Sequence, residues 1–449
     1  MAKEAKARIK INKLLEDSGW RLLDENSQKA NVQLETHIPV DKLGDDFEGA
    51  EGYVDFALLD NRGKYIAVLE AKSEEKDPLD GKEQARRYAH RLGVRNIILS
   101  NGNIHYYWDA EFGNPKIVTT LPTLDSFEKR KGYEPNPSAL TSETIDDGYI
   151  ARTKIPNYAN DPEYKNKNTQ DAYKDEKQLK FLRDYQIRAI NAIQTHAAKG
   201  ESRFLFEMAT GTGKTLTAAA VIKLFLRTGN ARRVLFLVDR IELEDQAEKA
   251  FRDYLSKDFQ TVIYKKSRDN WRSADIVVST VQSLTVDERF EQIFSPLDFE
   301  LVISDEAHRS IGGNARALFE YFDGYKLGLT ATPKAYLKGI DKEELNANDP
   351  RALEQRLLLD TYKTFGCETG EPTFRYGLID GVKEGKLINP VVLDARTSIT
   401  TELLSKEGYA TTITTEDGTE EEEIFGSRDF ERKFFNDETN IEFCQTIID

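Results

Sequence analysis

A glycine-rich segment between an apolar strand and an alanine-rich helix most constrains the fold of this 449-residue chain. The apolar run at 204–206 predicts a short buried strand, and the sequence Met-Ala-Thr-Gly-Thr-Gly-Lys-Thr at 208–215 leads directly into the helix. Strand and helix patterns then alternate as far as about residue 332. This alternation predicts an α/β fold with a doubly wound parallel sheet.

The glycine-rich segment has the composition of a phosphate-binding loop. Gly211 and Gly213 let backbone N–H groups on either side of Thr212 curl around a phosphate, and the helix start adds the positive end of its dipole. Lys214 can then bridge the β- and γ-phosphates of ATP, and the Thr215 hydroxyl can hold Mg²⁺. The segment therefore predicts nucleotide binding.

Two adjacent carboxylates follow a second buried strand, at 301–303. Asp305 and Glu306 would lie at the carboxyl end of that strand, where ligands bind in parallel sheets. Asp305 is suited to hold Mg²⁺ through its water shell, and Glu306 to orient or deprotonate the water that attacks ATP. Adjacent acids at a turn are usually only solvated, but their place after a buried strand favours the catalytic interpretation.

Near the N-terminus, two strand-like runs at 53–60 and 64–72 flank the turn sequence Asn-Arg-Gly and predict a β-hairpin. If Asp60 pairs with Tyr65, Asp55 lies directly across from Glu70, whereas a one-residue slip would separate them. Two such carboxylates can share a divalent cation, and the neighbouring Lys72 can position or activate water.

The helix predicted after this hairpin carries Gln84 and Tyr88 four residues apart, hence on one face. Arg86, Arg87 and Arg91 give the same helix a basic edge, for which phosphate contact and ordinary solvated charge are equal explanations.

In this order the motifs resemble those of superfamily 2 helicases of the DEAH type. The general phosphate-loop pattern has a glycine six residues before the lysine, and this chain has Met208 there. The sequence Ala-Thr-Gly-Thr-Gly-Lys-Thr instead matches motif I of that superfamily. Further matches are the adenine-recognition motif at 182–186, motif Ia at 234–246, motif Ib at 277–284, the Asp-Glu-Ala-His of motif II at 305–308 and the Thr-Ala-Thr-Pro of motif III at 330–333.

The resemblance implies roles for residues that spacing alone does not assign. Nucleotide recognition falls to Arg183 and Gln186, with Gln186 reading the adenine edge. Arg240, Thr280 and Gln282 would face the nucleic acid, and His308, Thr330 and Thr332 would couple the ATP state to it. No Gln-x-x-Gly-Arg-x-x-Arg segment, which supplies an arginine finger in that superfamily, follows Pro333. We therefore expect the chain to bind ATP but to hydrolyse it poorly.

The hairpin and its helix resemble the PD-(D/E)xK nuclease core, with Val54 in place of the usual proline, and the Gln-x-x-x-Tyr motif resembles that of type I restriction nucleases. The order of nuclease core, linker and DEAH motor is similar to that of the R (HsdR) subunit of type I restriction-modification enzymes. The catalytic nuclease residues would then be Asp55, Glu70, Lys72, Gln84 and Tyr88, with Asp55 and Glu70 holding the metal. Glu35 could add a further acid, although an exposed glutamate without a role is the simpler interpretation.

This resemblance implies ATP-driven translocation of double-stranded DNA and Mg²⁺-dependent cleavage. The expected partners are methyltransferase (M) and specificity (S) subunits, with S-adenosylmethionine bound only through M. Two alternatives stay open, namely a stand-alone helicase-nuclease of DNA repair and an inactive nuclease fold used for docking. The predicted organisation is a nuclease domain at 1–124, a linker at 125–178, a first motor domain at 179–370 and the start of a second at 371–449.

Composition sets outer limits on these predictions. The 63 basic and 78 acidic side chains give a net charge of −15, so any DNA-binding surface must be a local patch. The two cysteines are too few for a disulfide framework and fit a reducing cytoplasm. No apolar run approaches the roughly 20 residues of a membrane span.

Overall fold

The computed structural model describes a defined part of the chain. The described residues are 2–24, 28–38, 52–151, 158–177, 179, 181–255, 258–268, 270–309, 312–336, 359–367, 370–389, 409–414 and 420–425. Residues 1–387 form one compact unit, and residues 388–449 form a second. Within these ranges no helix is both long and apolar enough to cross a membrane.

The helices and strands confirm the α/β prediction. The helices are α1 (Ala2–Asp17), α2 (Lys82–Leu92), α3 (Leu124–Arg130), α4 (Pro137–Ser142), α5 (Pro162–Lys165), α6 (Gln170–Glu176), α7 (Asp184–Ala197), α8 (Lys214–Arg227), α9 (Ile241–Leu255), α10 (Val281–Thr285), α11 (Arg289–Ile293), α12 (Gly313–Tyr321), α13 (Thr361–Thr364) and α14 (Leu378–Lys383). The strands are β1 (Val32–Ile38), β2 (Gly52–Leu59), β3 (Tyr65–Ala71), β4 (Asn96–Ser100), β5 (His105–Asp109), β6 (Phe112–Val118), β7 (Arg203–Met208), β8 (Val234–Val238), β9 (Thr261–Ile263), β10 (Ile276–Thr280), β11 (Leu301–Asp305), β12 (Tyr325–Thr330), β13 (Phe374–Tyr376), β14 (Tyr409–Thr414) and β15 (Glu420–Phe425).

The first sheet contains six strands in the order β1-β2-β3-β4-β5-β6. Only β3 and β4 are parallel, and α2 makes the crossover between them. The predicted hairpin of β2 and β3 is present, with Phe56 opposite Leu69 and Leu58 opposite Ala67. The register shifts after Leu58, so the expected pairing of Asp60 with Tyr65 is wrong, because Leu59 takes Tyr65 as its partner. This irregularity leaves the register towards Asp55 as predicted.

Helices cover both faces of this first sheet. Ile11 and Leu15 of α1 pack with Phe56 and Leu69 on one face. On the other face, residues of α2 such as Ala85 pack against the sheet. Helix α1 ends shortly before Gly19, which has a φ of 79°, a left-handed conformation that glycine adopts without steric cost. Both helices are thereby fixed against the strands that carry the predicted nuclease residues.

The second sheet is parallel throughout, with seven strands in the order β13-β7-β12-β11-β8-β10-β9. Its strands are almost fully buried, as expected for a parallel sheet covered on both faces. Strand β13 pairs with β7, so Phe374–Tyr376 belongs to this sheet. These residues follow the predicted boundary at 370, and most of the predicted second motor domain lies outside the described residues.

Polar and apolar contacts join the two sheets within the first unit. Lys116 Nζ lies 2.6 Å from an Asp323 carboxylate oxygen, and the hydroxyls of Thr120 and Tyr321 are 2.7 Å apart. The buried side chain of Leu297 packs into the core beneath the first sheet. The segment predicted as a linker contributes Leu140 and other residues to the core of the second sheet. The division of the chain into domains stays a prediction.

Strands β14 and β15 of the second unit pair in antiparallel orientation, with Tyr409 opposite Phe425.

Candidate active sites

The first candidate site lies at the carboxyl end of β3, next to the start of α2. A cavity of about 210 Å³ there is lined by Asp55, Glu70, Lys72 and Gln84, together with Ala71, Ser73 and Lys76. The structure therefore brings four of the five predicted nuclease residues around one open volume.

Asp55 is held by two donors. Its Oδ2 atom accepts a 2.8 Å hydrogen bond from the backbone N–H of Ala71, and its Oδ1 atom accepts one from the guanidinium of Arg8. Arg8 also donates to Glu35 Oε1 over 2.7 Å. The sequence analysis missed Arg8, because nothing in the sequence of helix α1 indicates that one of its basic side chains reaches Asp55 in β2.

Glu70 is the most strongly perturbed group of this site. Its side chain is 3% exposed, and burial, reinforced by the nearby Asp55 charge, raises the pKa of Glu70 to about 7, against the opposing effect of Lys72. Oε1 accepts a 2.7 Å hydrogen bond from Lys72, whereas Oε2 is buried without a hydrogen-bond partner in the described structure. A buried carboxylate oxygen without a partner, facing a second carboxylate, fits a site for a divalent cation.

A line of hydrogen bonds connects Lys72 to α2. Lys72 Nζ donates to Gln84 Oε1 over 3.2 Å, and Gln84 Nε2 donates to the Tyr88 hydroxyl over 3.2 Å. Burial raises the pKa of Tyr88, so its hydroxyl stays protonated at neutral pH. The line holds the ammonium group beside Glu70 and links it to both residues of the Gln-x-x-x-Tyr segment.

Gly81 is a second residue that sequence reasoning missed. A Cβ atom at this position would lie 2.7 Å from Glu70 Cγ and 2.9 Å from Lys72 Cε. The start of α2 can therefore approach the site only because residue 81 has no side chain.

Within the described ranges, no group of three or more His, Cys, Asp or Glu residues is placed to hold a metal. An ion at Asp55 and Glu70 would thus take its other ligands from water and from substrate oxygens, as Mg²⁺ commonly does.

The second candidate site is the glycine-rich loop after β7. Gly211 and Gly213 have φ values of 82° and 79°, and Gly213 caps the start of α8. Lys214 Nζ lies 3.5 Å from Glu306 Oε1. Burial, helped by Glu306 and opposed by Lys214, raises the pKa of Asp305 to about 6. The loop lysine and the two acids predicted from separate motifs therefore meet at one edge of the sheet.

Side chains of the predicted adenine-recognition segment donate hydrogen bonds to the backbone of this loop. Gln186 is 1% exposed, and its Nε2 donates to the carbonyl oxygens of Thr212 and Gly213 over 3.1 and 3.3 Å. Its Oε1 accepts from the backbone N–H of Arg183, and the Tyr185 hydroxyl donates to the Thr212 carbonyl. The Thr212 hydroxyl is itself bonded to Ala209 O, so the Thr212 side chain is not directed at a nucleotide.

The predicted coupling residues form a continuous chain. His308 Nδ1 lies 2.9 Å from Thr330 Oγ1, which accepts a 3.1 Å hydrogen bond from the backbone N–H of Thr332. The same imidazole nitrogen lies 3.5 Å from Glu306 Oε2, and burial lowers the pKa of His308. Glu306 has a φ of 49°, a strained conformation of a kind concentrated at functional sites.

The residues predicted to contact nucleic acid differ in their exposure. Arg240 and Gln282 are exposed at the ends of β8 and β10. Thr280 is 1% exposed and caps α10 through a 3.2 Å bond from the Ser283 N–H, so the expectation that its side chain faces nucleic acid is not met. Its backbone N–H donates to the buried carboxylate of Glu244, a structural residue that the sequence analysis did not identify.

The chain is similar in sequence to a known protein family and to known restriction-enzyme subunits. The family model described as "Type III restriction enzyme, res subunit" matches residues 179–335. The endonuclease subunit of the type I restriction enzyme EcoAI from Escherichia coli is 28% identical over 88% of this chain and 44% of that protein. The EcoKI endonuclease subunit of E. coli K12 is 30% identical over 57% of this chain and 22% of that protein.

Among solved structures, a fragment assigned to an HsdR subunit of a type I restriction enzyme from Vibrio vulnificus YJ016 is 24% identical, with a TM-score of 0.32. That match covers 85% of this chain and 61% of the other. The chain thus spans less than half the length of the two curated relatives described above. The resemblance predicted from the motifs is confirmed by the two curated sequence relatives.

We expect Gly81→Ala to weaken Mn²⁺ binding at the first site by about 2- to 10-fold, because the added methyl forces Glu70 away from its rotamer at a cost of about 0.5–1.5 kcal/mol. Isothermal titration with Mn²⁺ would measure this. Gly148→Ala is a matched control, since its new Cβ would meet no atom closer than 3.5 Å. Equal affinities in the two variants would show that the close approach at Gly81 does not matter.

Metal affinity at the first site should rise with pH. Since the pKa of Glu70 is raised to about 7, a cation that binds below that pH must displace a proton, whereas above it the carboxylate is already ionised. The apparent Mn²⁺ affinity should therefore increase by roughly tenfold per pH unit up to about pH 7 and then level off. A titration series would record this slope, and a flat profile across that range would contradict the assignment of the proton to Glu70.

Proposed function

We infer that this chain, a homologue of the endonuclease (HsdR) subunits of type I restriction enzymes, couples ATP-driven translocation of double-stranded DNA to Mg²⁺-dependent cleavage. The observation that carries this proposal is the presence of two separate acidic sites in one compact unit. One groups Asp55, Glu70 and Lys72, and the other groups Lys214 with Glu306.

In the nuclease site, Asp55 and Glu70 would hold the ion through the free lone pairs of their carboxylates. Bound Mg²⁺ supplies charge stabilisation to the phosphodiester and lowers the pKa of water. Lys72, fixed by Glu70 and Gln84, is placed to orient the attacking water or to neutralise the phosphate. Tyr88 acts on Lys72 only through Gln84, so we assign it a positioning role.

In the motor site, Lys214 would contact the β- and γ-phosphates of ATP, and Thr215 and Asp305 would hold the accompanying Mg²⁺. Glu306 is placed to orient the attacking water. Through His308 and Thr330, a change at Glu306 on loss of the γ-phosphate can reach the Thr332 backbone. This chain of contacts supports the proposed coupling between nucleotide state and DNA position.

A local basic surface supports DNA as the substrate despite the acidic net charge. Arg86, Arg87, His90 and Arg91 on the outer side of α2 line a shallow cavity of about 210 Å³. The same helix carries Gln84 and Tyr88 of the proposed nuclease site. DNA phosphates bound by these arginines would therefore lie close to the proposed nuclease site.

Recognition and methylation would belong to M and S subunits, with S-adenosylmethionine bound by M, in a cytoplasmic complex. The sequence supports this division because it contains no methyltransferase motif or target-recognition repeat.

Cleavage of circular DNA tests the proposal. A subunit carrying this sequence should cut only when M, S, ATP and Mg²⁺ are all present. We expect Asp55→Asn to reduce cleavage by at least about 100-fold while ATP hydrolysis persists, because only a nuclease ligand is lost. Lys214→Ala should abolish both activities, and Glu111→Gln, an exposed acid of the same sheet, should change neither. Cleavage without M and S would instead favour the stand-alone repair enzyme.

The 449-residue chain itself should bind ATP but hydrolyse it slowly. An arginine supplied from opposite the phosphates accelerates phosphoryl transfer by roughly 10³- to 10⁵-fold, and the motif that would supply one is missing after Pro333. Steady-state hydrolysis and equilibrium binding of a fluorescent ATP analogue would separate the two steps. A rate equal to that of a complete two-domain motor would contradict this expectation.

A further inference from the structure

Three carboxylates lie side by side across the first sheet. Leu34 pairs with Phe56 and Thr36 with Val54, which places Glu35 across from Asp55 on the β1 side. On the β3 side, Phe56 pairs with Leu69, which places Glu70 across from Asp55. Asp55 is therefore flanked by an acid on each side, and each flank could in principle hold a divalent cation.

The two flanks differ in what occupies them. On the β1 side, the guanidinium of Arg8 bridges Asp55 Oδ1 and Glu35 Oε1. On the β3 side lie the unpartnered Oε2 atom of Glu70 and the cavity of about 210 Å³. The cavity is lined by Asp55 and Glu70 but by neither Glu35 nor Arg8. Among the described residues, space and an unsatisfied ligand atom are thus found on the β3 side of Asp55 only.

Arg8 is held firmly in this position by the packing of α1. Its neighbour Ala7 and the next turn's Ile11 are fully buried. Lys6 and Lys10 are four residues apart, hence on one side of the helix, and both pair with Glu74, at 3.2 and 2.5 Å, which anchors α1. A guanidinium cannot be deprotonated at physiological pH, so the positive charge beside Asp55 is a fixed one.

We propose that Arg8 takes the place of a second metal ion between Glu35 and Asp55, so that the nuclease site binds a single divalent cation, between Asp55 and Glu70. Arg8 is a positioning residue in this scheme, because it fixes Asp55 and fills the other flank. The inference deepens the proposed nuclease function and rests on it.

The test counts Mn²⁺ ions by electron paramagnetic resonance of free Mn²⁺, without nucleotide and in an Asp305→Asn background that removes the motor-site acid. We expect one ion that is lost in Glu70→Gln. Arg8→Gln should raise the count to two, and adding Glu35→Gln should return it to one. Arg8→Lys, which keeps a cation, should stay at one, as should Lys6→Gln, a control on the same helix that pairs with Glu74 instead.

Two ions in the parent protein, or a single ion in a folded Arg8→Gln variant, would overturn the inference. Glu35→Gln alone keeps the test decisive if Arg8→Gln does not fold. We expect this variant to retain the one ion, whereas its loss would identify Glu35 as a metal ligand and contradict the role given to Arg8. A parent count that does not change in Glu70→Gln would instead overturn the proposed metal site itself, and cleavage assays would then address the proposed function separately.

Discussion

The antiparallel pairing of β2 with β3 holds together the residues of the proposed nuclease site. It sets Asp55 opposite Glu70 and places Lys72 two residues further, on the side that faces α2. A slip of one residue would turn every side chain of a strand to the opposite face. Buried Phe56, Leu58 and Leu69 oppose such a slip, because it would remove them from the core that they form with Ile11 and Leu15 of α1.

Helices packed on opposite faces of this sheet complete the site. Helix α2 supplies Gln84, which fixes Lys72, and can approach because Gly81 has no side chain. Helix α1 supplies Arg8, which fixes Asp55. Oε2 of Glu70 is left buried without a hydrogen-bond partner among the described residues, and such an atom is costly unless a ligand or proton satisfies it. The packing of two ordinary amphipathic helices thus supports the proposed cation site.

The proposed nucleotide site depends on a different arrangement, in which several parallel strands end at the same edge of the sheet. Strands β7 and β11 are separated by β12 in this sheet, yet Lys214 after the first reaches Glu306 after the second. The loop backbone is braced from behind by Gln186 and Tyr185. Contacts such as that of Lys116 with Asp323 join this sheet to the first. Both sites therefore belong to one compact unit.

The α/β class, the hairpin, the glycine-rich loop and the order of the motor motifs could all be predicted from the amino-acid sequence, because they follow from local periodicity, turn chemistry and glycine placement. Sequence reasoning did not reveal the roles of Arg8, Gly81 or Glu244, nor that the side chain of Thr280 is buried. Each of these depends on contacts between segments far apart in the chain, which local patterns do not encode. Which flank of Asp55 is filled and which is open follows from tertiary packing, because the docking of α1 places Arg8 on the β1 side.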